Sequence, residues 1–284
     1  MTIIQAVILG IVQGLTEFMP ISSSAHLIII PWLFHWDDPG LAFDIALHLG
    51  TLVALLWFFY ADWVRLIRAA ITGIIERKVG NDPYRRLALL LITGTIPGII
   101  AGILAESKIE ELFHKPDTPH SLEAMTAMAI VIALLGVALF AAERTARHQR
   151  DLDHIKFKDA VLIGLAQALA IFPGVSRSGS TITAGLALGL RREVAARFSF
   201  MLAAPIVAGA GLKGLFNVYG ELKTEAMAQS ELVLFAIGFI AAAVSGYLCI
   251  KVLLRYLQRK STDIFVYYRW LLAALVIVIA FVRG

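Results

Sequence analysis

The feature that most constrains the fold of this chain is a series of long apolar segments. A transmembrane helix needs about 20 mostly apolar residues, and only 16% of this chain is charged, against roughly 25% in soluble domains. The chain therefore lacks the polar surface of a water-facing globule, which predicts an all-α polytopic membrane protein. Six segments are expected to cross the bilayer: 41–60, 87–105, 122–142, 198–212, 232–250 and 270–282. The fourth and the sixth are short, so flanking residues are expected to complete these two helices.

Two further apolar regions, residues 2–34 and 160–190, are interrupted by proline, glycine and serine. A first break follows Phe18 and a second break follows Phe172. Proline lacks a backbone donor and suits a turn or a first helical turn, and serine is a preferred helix N-cap. Each region is therefore expected to form two half-helices rather than one continuous span.

The distribution of basic residues predicts the orientation, because lysine and arginine concentrate in cytoplasmic loops. The connections at 106–120 and 213–231 hold two basic residues each and more acids, so they are assigned to the outside. With three spans between the two broken regions, the first begins and ends outside and the second begins and ends inside. Four connections hold 19 of the 25 basic residues and are predicted to be cytoplasmic: 61–86, 143–159, 191–197 and 251–269.

This topology makes each broken region a re-entrant helix pair and makes the two halves inverted copies of each other, as in many secondary transporters. One membrane domain is expected over 1–284, with repeat one at 1 to about 105 and repeat two at about 158–284, joined by the span at 122–142. Self-similarity at an offset of 154 supports the inversion. The six identities are Gly10/Gly164, Gln13/Gln167, Leu15/Leu169, Phe18/Phe172, Ser22/Ser176 and Ser24/Ser178.

Both breaks are expected to place a helix N-terminus near the middle of the bilayer. The unpaired N–H groups and the dipole of such an end bind anions, phosphate in particular. Non-helical backbone at this depth is tolerated only when it is buried in protein or lines a wet cavity. Two facing N-termini therefore predict a cavity for an anion.

Glu17 and Arg177 are the charged residues of the two breaks. A charge within a membrane costs about 2.5 to 3.5 kcal/mol on insertion scales, so both side chains are expected to face the interior and neutralise each other or a ligand. The planar fork of arginine suits phosphate oxygens. A buried ion pair that only fixes helix register is the simpler interpretation, but it does not need the serine, glycine and histidine residues around it. Gln13 shares the helix face of Glu17 at a spacing of four.

The first break also carries hydroxyl groups and an imidazole. A hydroxyl of residues 22–24 beside the Glu17 carboxylate is an arrangement for nucleophilic attack on phosphorus, and His26 can transfer a proton or attack directly. The sequence leaves open whether Ser23, His26 or water is the nucleophile.

Several classes of protein are excluded. Cys249 is the only cysteine, which excludes an intrachain disulfide and a cysteine metal cluster, and neither HExxH nor GxxxxGK occurs. The basic residues behind the net charge of +4 are spread between apolar segments, so no nucleic-acid surface is expected. Asp44 and His48 lie one turn apart within a span, where both could face the same cavity, and they are interpreted as structural residues or as residues that support the reacting groups. Residues 63–78 are interpreted as an amphipathic helix at the membrane interface.

The run from Gln13 to Ser23, QGLTEFMPISS, followed by His26, resembles the BacA-type undecaprenyl-diphosphate phosphatases of bacteria. The run from Pro173 to Thr181 matches the PGxSRSxxT motif of that family at every fixed position. The resemblance extends over essentially the whole chain. Gln13 occupies the variable first position of the family's (E/Q)xxxE motif, so no carboxylate role is implied there.

The resemblance implies hydrolysis of a C55 polyisoprenoid diphosphate to the monophosphate and inorganic phosphate, which recycles the carrier lipid of peptidoglycan synthesis and confers bacitracin resistance. It implies an active site at the outer, periplasmic face of the bacterial cytoplasmic membrane, helped by a divalent cation such as Mg²⁺ or Ca²⁺ that Glu17 would hold through water. The catalytic residues carried over by motif are Glu17, Ser23, His26 and Arg177. The residues expected to bind substrate are Gln13, Ser22, Ser24, Gly174, Ser176, Ser178 and Thr181.

Two other functions stay open from the sequence. An inverted-repeat transporter or flippase would bind a phosphate-bearing lipid or anion without cleaving it. A purely structural scaffold would tolerate the loss of Glu17 or Arg177. The expected partners are the lipid diphosphate and the bilayer, with no nucleic acid; a homodimer, the cation and the chain-length preference are left open.

Overall fold

The computed structural model describes residues 1–80, 82–113, 121–222 and 229–283. In these ranges the chain is helical, apart from turns and one isolated parallel bridge between Arg150 and Leu190. The α-helices are α1 (Ile3–Phe18), α2 (Ser23–Phe34), α3 (Leu41–Phe58), α4 (Tyr60–Ile75), α5 (Pro83–Phe113), α6 (Leu122–Thr145), α7 (Phe157–Ala168), α8 (Arg177–Ala187), α9 (Arg192–Leu222), α10 (Gln229–Leu257) and α11 (Asp263–Arg283). Short 3₁₀ turns occur at Leu152–His154 and Leu169–Ile171.

Six helices in the described parts of the chain are long and apolar enough to cross a membrane, which confirms the predicted number of spans. Five of the six extend beyond the predicted segments at one or both ends because the helices continue into polar flanks; the fourth runs Arg192–Gly214 instead of 198–212. The first, Leu41–Phe58, ends two residues before the predicted segment does. The connections predicted at 106–120 and 213–231 are helical up to Phe113 and Leu222. Residues 114–120 and 223–228 lie outside the described residues.

The first broken region forms two helices, as predicted. α1 ends at Phe18, and Met19 leaves the helix with an extended backbone, φ −69° and ψ 142°. Pro20 follows and has no amide hydrogen to continue the helical hydrogen bonding. α2 then begins at Ser23, with Ser22 as its N-cap.

The second broken region differs from the prediction in one detail. The α-helix ends at Ala168 rather than at Phe172, and the 3₁₀ turn Leu169–Ile171 carries the chain to the break. Tightening of the last turn into 3₁₀ geometry is common at helix C-termini. α8 begins at Arg177 with Ser176 as its N-cap.

Charged side chains join the four connections predicted to be cytoplasmic. Because each contact links two different connections, all four lie at one end of the helical bundle. The contacts are Asp62–Arg197 at 2.8 Å, Glu143–Arg192 at 2.8 Å, Arg144–Asp263 at 3.1 Å, and Arg86 with the backbone carbonyl of Asp153 at 2.9 Å.

Arg269 is the exception among the basic residues that were assigned to these connections. α11 begins at Asp263, so Arg269 lies inside the helix and has no exposed surface. Its assignment to a cytoplasmic connection is wrong, because the helix starts before the apolar segment that marks it in the sequence.

Each broken region packs its first half-helix against the backbone of a long helix. A Cβ atom added at Gly10 would lie 2.5 Å from the carbonyl oxygen of Gly238, so α1 and α10 meet without an intervening side chain. A Cβ atom added at Gly164 would clash with the carbonyl of Gly94, so α7 and α5 meet in the same way. Small residues at such contacts let membrane helices approach closely.

The two broken regions end at opposite ends of the bundle. α8 ends beside the basic connections, where Arg150 donates to the carbonyl of Leu188 at 2.7 Å. α2 ends beside the last turn of α11, where Arg283 donates to the carbonyl of Leu33 at 3.0 Å. Since α11 starts at the basic end and runs for 21 residues, the end of α2 lies at the other side of the bundle.

The main buried cluster surrounds the ends of the half-helices. Phe18, the last residue of α1, packs edge-on against Phe200 of α9 with ring centroids 5.3 Å apart, a geometry that aromatic pairs prefer. Ile182 of α8 and Leu139 of α6 belong to the same cluster. This packing fixes where α1 ends, and therefore where the polar side chains around the break lie.

Candidate active site

Ser22 and Ser176 start the second half-helix of each broken region in the same way. Each hydroxyl accepts a hydrogen bond from the backbone amide three residues later, Ala25 at 3.4 Å and Gly179 at 3.0 Å. Both serines have a positive φ, 76° and 71°, which is uncommon for residues other than glycine. The two turns therefore share their backbone geometry as well as their sequence.

Glu17 lies at the centre of the site and is 8% exposed. Its Oε1 accepts a hydrogen bond from Arg177 at 2.5 Å, while Oε2 accepts from the Ser23 hydroxyl at 2.5 Å and from Gln13 Nε2 at 3.1 Å. Arg177 also donates to the carbonyl of Ala203 at 3.0 Å. Glu17 and Arg177, 160 positions apart in the sequence, are thus in direct contact, as the cost of burying either charge alone predicts.

A cavity of about 420 Å³ opens beside this ion pair, within the usual size range of ligand pockets, roughly 300 to 1,000 Å³. Most of its remaining lining is apolar and comes from α3, α5 and α9. Five residues predicted from the sequence line it: Glu17, Ser23, Ser24, Ser176 and Arg177. The other polar side chains in the lining are Asp44, His48 and Gln167.

Five predicted binding residues do not line the cavity: Gln13, Ser22, Gly174, Ser178 and Thr181. Their contacts hold the two breaks in shape. The Ser178 hydroxyl donates to the carbonyl of Met19 at 2.9 Å, which links the second break to the first. The hydroxyls of Thr181 and Ser199 lie 2.6 Å apart and join α8 to α9. Direct substrate binding by these five residues stays a prediction.

His26 is buried and lies outside the cavity lining. Its Nδ1 is 2.6 Å from the carbonyl oxygen of Ser22, and its Nε2 is 2.7 Å from the hydroxyl of Tyr268. Because a carbonyl oxygen can only accept, Nδ1 carries the proton, and in the neutral ring Nε2 accepts from Tyr268. His26 therefore supports the turn before Ser23, and its predicted role in proton transfer stays a prediction.

Arg269 is a residue of the site that sequence reasoning missed. It donates to the carbonyls of Pro20 at 3.0 Å and Gly174 at 2.9 Å, one in each break, and to the carbonyl of Ile132 in α6 at 2.9 Å. Hydrogen bonds from a charged donor are the strong ones. A single buried guanidinium thus ties the two breaks to each other and to α6.

Asp44 and His48 line the cavity, the position that the sequence left open for them. His48 Nε2 lies 3.8 Å from Glu17 Oε2, and its Nδ1 is 2.8 Å from the Asp44 backbone carbonyl. The Oδ1 atom of Asp44 is buried and has no hydrogen-bond partner among the described residues. Their spacing of four residues puts both side chains on one helix face.

The polar lining fits a divalent cation only in part. In the described residues no group of three or more His, Cys, Asp and Glu side chains is placed to hold a metal ion. Mg²⁺, however, is usually held by one or two carboxylates together with waters and substrate phosphates. The carboxylates of Glu17 and Asp44 match that smaller requirement.

The contacts among Ser23, Glu17 and Arg177 allow nucleophilic attack on a phosphorus atom. A hydroxyl that donates to a carboxylate can lose its proton to that carboxylate while its oxygen attacks an electrophile. A neighbouring guanidinium stabilises the negative charge that develops on phosphate oxygens. Ser23, Glu17 and Arg177 can therefore bind a phosphate-bearing anion and attack its phosphorus.

The fold and the site define a multi-pass membrane protein with a serine–carboxylate–arginine cluster buried where two interrupted helix pairs meet. The chain belongs to the family described as bacitracin resistance protein BacA, whose family model matches residues 6–275. It is similar along its whole length to proteins named undecaprenyl-diphosphatase from several bacteria. Three of them, each aligned over 100% of both chains, come from Thermomicrobium roseum (46% identical over 284 residues), Moorella thermoacetica (45% over 284) and Geobacter sulfurreducens (46% over 283).

Proposed function

We infer that this chain hydrolyses undecaprenyl diphosphate to undecaprenyl phosphate and inorganic phosphate. The observation that carries the inference is the Ser23 hydroxyl bonded to the buried Glu17 carboxylate beside Arg177, in the wall of the cavity. Membership of the BacA family and the names of the three relatives agree with it. Because those relatives are named as phosphatases, hydrolysis is favoured over transport without cleavage.

In the proposed reaction Ser23 attacks the terminal phosphorus of the diphosphate. Its proton passes to Glu17 as the bond from Oγ to phosphorus forms. The bond from that phosphorus to the bridging oxygen breaks, and undecaprenyl phosphate leaves with the electron pair. A water molecule then attacks the phosphoserine, the bond from phosphorus to Oγ breaks, and Glu17 returns its proton to Oγ as inorganic phosphate leaves. Arg177 stabilises the charge on the phosphate oxygens in both steps.

The contacts of His26 favour Ser23 as the nucleophile. Both ring nitrogens of His26 are already bonded, to Ser22 and Tyr268, and the ring is not part of the cavity wall. In the proposed mechanism His26 acts as a positioning residue, which holds the turn that presents the Ser23 hydroxyl to Glu17.

The proposed membrane arrangement is an inverted repeat in which α1–α2 and α7–α8 are re-entrant pairs. Three observations support it: the matching caps at Ser22 and Ser176, the glycine contacts at Gly10 and Gly164 at the same offset, and the opposite ends of the bundle at which the two pairs finish. If the basic end faces the cytoplasm, as the charge distribution predicts, the first pair opens to the periplasmic face of the inner membrane.

The polyisoprenoid tail is proposed to leave the cavity between α5 and α9. These two helices, together with α3 and α4, line an apolar groove of about 530 Å³ that includes Ile99 and Ala208. Their sequence neighbours Gly98 and Val207 line the cavity on the inner side. The groove and the cavity are therefore separated by the same two helices, which suits a lipid with a polar head and an apolar tail.

A divalent cation, Mg²⁺ or Ca²⁺, is proposed to bind together with the diphosphate. Glu17, through water, and Asp44 would hold it, and it would neutralise part of the phosphate charge. All the residues invoked come from one chain, so the proposed reaction does not need a second copy, and a homodimer stays a prediction.

The test is phosphate release from farnesyl diphosphate and undecaprenyl diphosphate by the purified protein in detergent. Ser23→Ala is expected to lower kcat/KM on the order of 10³-fold or more, the effect of removing a nucleophile. Ser245→Ala is the matched control, because that hydroxyl bonds helix carbonyls away from the cavity. A folded wild-type protein that releases no phosphate would refute the inference in favour of transport. Acid-quenched protein labelled on a residue other than Ser23 would refute the covalent step.

A further inference from the structure

Gln167, in the last turn of α7, is a polar side chain of the cavity that the proposed mechanism does not use. It is 3% exposed and lines the cavity. Neither its Nε2 nor its Oε1 has a hydrogen-bond partner among the described residues. A buried amide without partners destabilises a protein, so this position is costly unless a ligand satisfies it.

Comparison with Gln13 explains why the Gln167 amide has no hydrogen-bond partner among the described residues. Gln13 is the residue that matches Gln167 at the offset of 154, and it donates to Glu17, four residues later in α1. The residue four positions after Gln167 is Ile171, which also lines the cavity and whose side chain cannot accept a hydrogen bond. The Nε2 atom of this glutamine side chain is therefore bonded within the protein in one broken region and turned toward the cavity in the other. The Oε1 atom of Gln13, like both amide atoms of Gln167, has no hydrogen-bond partner among the described residues.

The wall next to Gln167 leaves room for its amide. A Cβ atom added at Gly98 in α5 would lie 3.2 Å from Gln167 Nε2 and 3.1 Å from Ile206 Cδ1. Because both distances are shorter than ordinary van der Waals contact, a side chain at position 98 would require the amide and Ile206 to shift by a few tenths of an ångström. Gly98 thus keeps the amide group at the edge of the cavity.

The other hydrogen-bond donors in the cavity already donate to groups of the protein. Arg177 donates to Glu17 through one terminal nitrogen and to the Ala203 carbonyl through the other. The Ser23 hydroxyl donates to Glu17 as well. A diphosphate with many acceptor oxygens therefore needs further donors, and a primary amide supplies two N–H groups.

We propose that Gln167 is a substrate-binding residue that donates from Nε2 to the diphosphate of the substrate. The proposal rests on the proposed function, because it names a further contact to the same headgroup. As an uncharged donor present in the ground state and in the transition state alike, Gln167 contributes uniform binding, which changes KM and leaves kcat nearly constant.

The test compares Gln167→Met with wild type in steady-state hydrolysis of farnesyl diphosphate. Met keeps the unbranched shape and removes the hydrogen-bonding atoms. KM, and the inhibition constant of inorganic diphosphate, are expected to rise at least tenfold while kcat stays within threefold. The melting temperature in detergent is expected to stay level or rise, because an unpartnered buried amide is removed. Gln167→Glu keeps the shape and loses the donors, and is expected to raise KM at least as much.

Two controls separate ligand binding from a structural role. Thr126→Val removes another buried and unpartnered polar atom, in α6 away from the cavity, and is expected to leave KM unchanged. Gly98→Ala is expected to raise KM in the wild-type background and to add little in the Gln167→Met background.

An unchanged KM and inhibition constant in Gln167→Met and Gln167→Glu, with wild type active, would overturn the proposal and leave the proposed function standing. A fall in melting temperature in Gln167→Met with no change in KM would assign Gln167 a structural role and overturn it as well. A wild-type protein that neither hydrolyses farnesyl diphosphate nor binds inorganic diphosphate would overturn both inferences.

Discussion

The contact between Glu17 and Arg177 makes a quantitative prediction about stability that is independent of catalysis. Breaking a buried ion pair by removing one partner costs about 3 to 5 kcal/mol, because it leaves an uncompensated charge, whereas replacing both partners by apolar residues is close to neutral. In Glu17→Met, Arg177 keeps only the Ala203 carbonyl among its described partners, and Ser23 and Gln13 lose their acceptor. This single variant is expected to lose about 4 kcal/mol.

In Arg177→Met the Glu17 carboxylate keeps two donors, Ser23 and Gln13, so a smaller loss, about 3 kcal/mol, is expected. The double variant is expected to lose no more than about 2 kcal/mol, because no unpaired charge is left. With about 2 °C per kcal/mol for a chain of this size, the melting temperature should fall by about 8, 6 and 4 °C respectively.

The assay is thermal unfolding in detergent, followed by tryptophan fluorescence, with phosphate release measured on the same samples. All three variants are expected to be inactive, while the double variant is the most stable of them. Melting temperatures in which the two single losses simply add in the double variant would refute the reasoning, because the two charges would then be stabilised independently of each other.

Two further predictions concern the backbone around the site. Arg269→Lys keeps the charge, but one ammonium group cannot reach carbonyls in both breaks and in α6. The loss of two charged hydrogen bonds, at roughly 1.5 kcal/mol each, should destabilise the protein by about 3 kcal/mol in an unfolding assay and lower kcat for phosphate release. An unchanged kcat would contradict the conclusion that Arg269 holds the two breaks together. Gly164→Ala should lower the free energy of unfolding by about 1 to 3 kcal/mol, because the added methyl group overpacks α7 against α5. Gly209→Ala is the control, since its added Cβ atom meets no atom within 4 Å, and it should change the melting temperature little. Equal effects of the two variants would contradict the close contact between α7 and α5.

The spans and the breaks could be predicted from the sequence because their signals are local. A run of apolar residues predicts a membrane helix from its length alone, and Pro20 and Gly174 interrupt such runs at identifiable positions. The meeting of Glu17 and Arg177 could be predicted although it is long-range. Neither charge is tolerated alone in the membrane, and the two broken regions hold no other Asp, Glu, Lys or Arg residue that could pair with them.

The residues that were missed depend on helix rotation and on exact helix ends. Arg269 stands next to an apolar segment in the sequence, and only the start of α11 at Asp263 places it inside the protein. Gln167 faces the cavity because of how α7 is turned, which no local pattern records. His26 belongs to the sequence motif of the family, yet its ring points toward Tyr268 rather than into the cavity.

The positive φ of Ser22 and Ser176 has a consequence for how the site meets its ligand. For a residue with a Cβ atom such a sparsely populated conformation costs roughly 1 to 3 kcal/mol, a cost that glycine would avoid but without supplying the capping hydroxyl. The two turns therefore store strain so that their amide groups are held in a fixed direction before any ligand arrives. A site preorganised in this way spends little of its binding energy on rearrangement, and little change in the shape of either turn is expected when the headgroup binds.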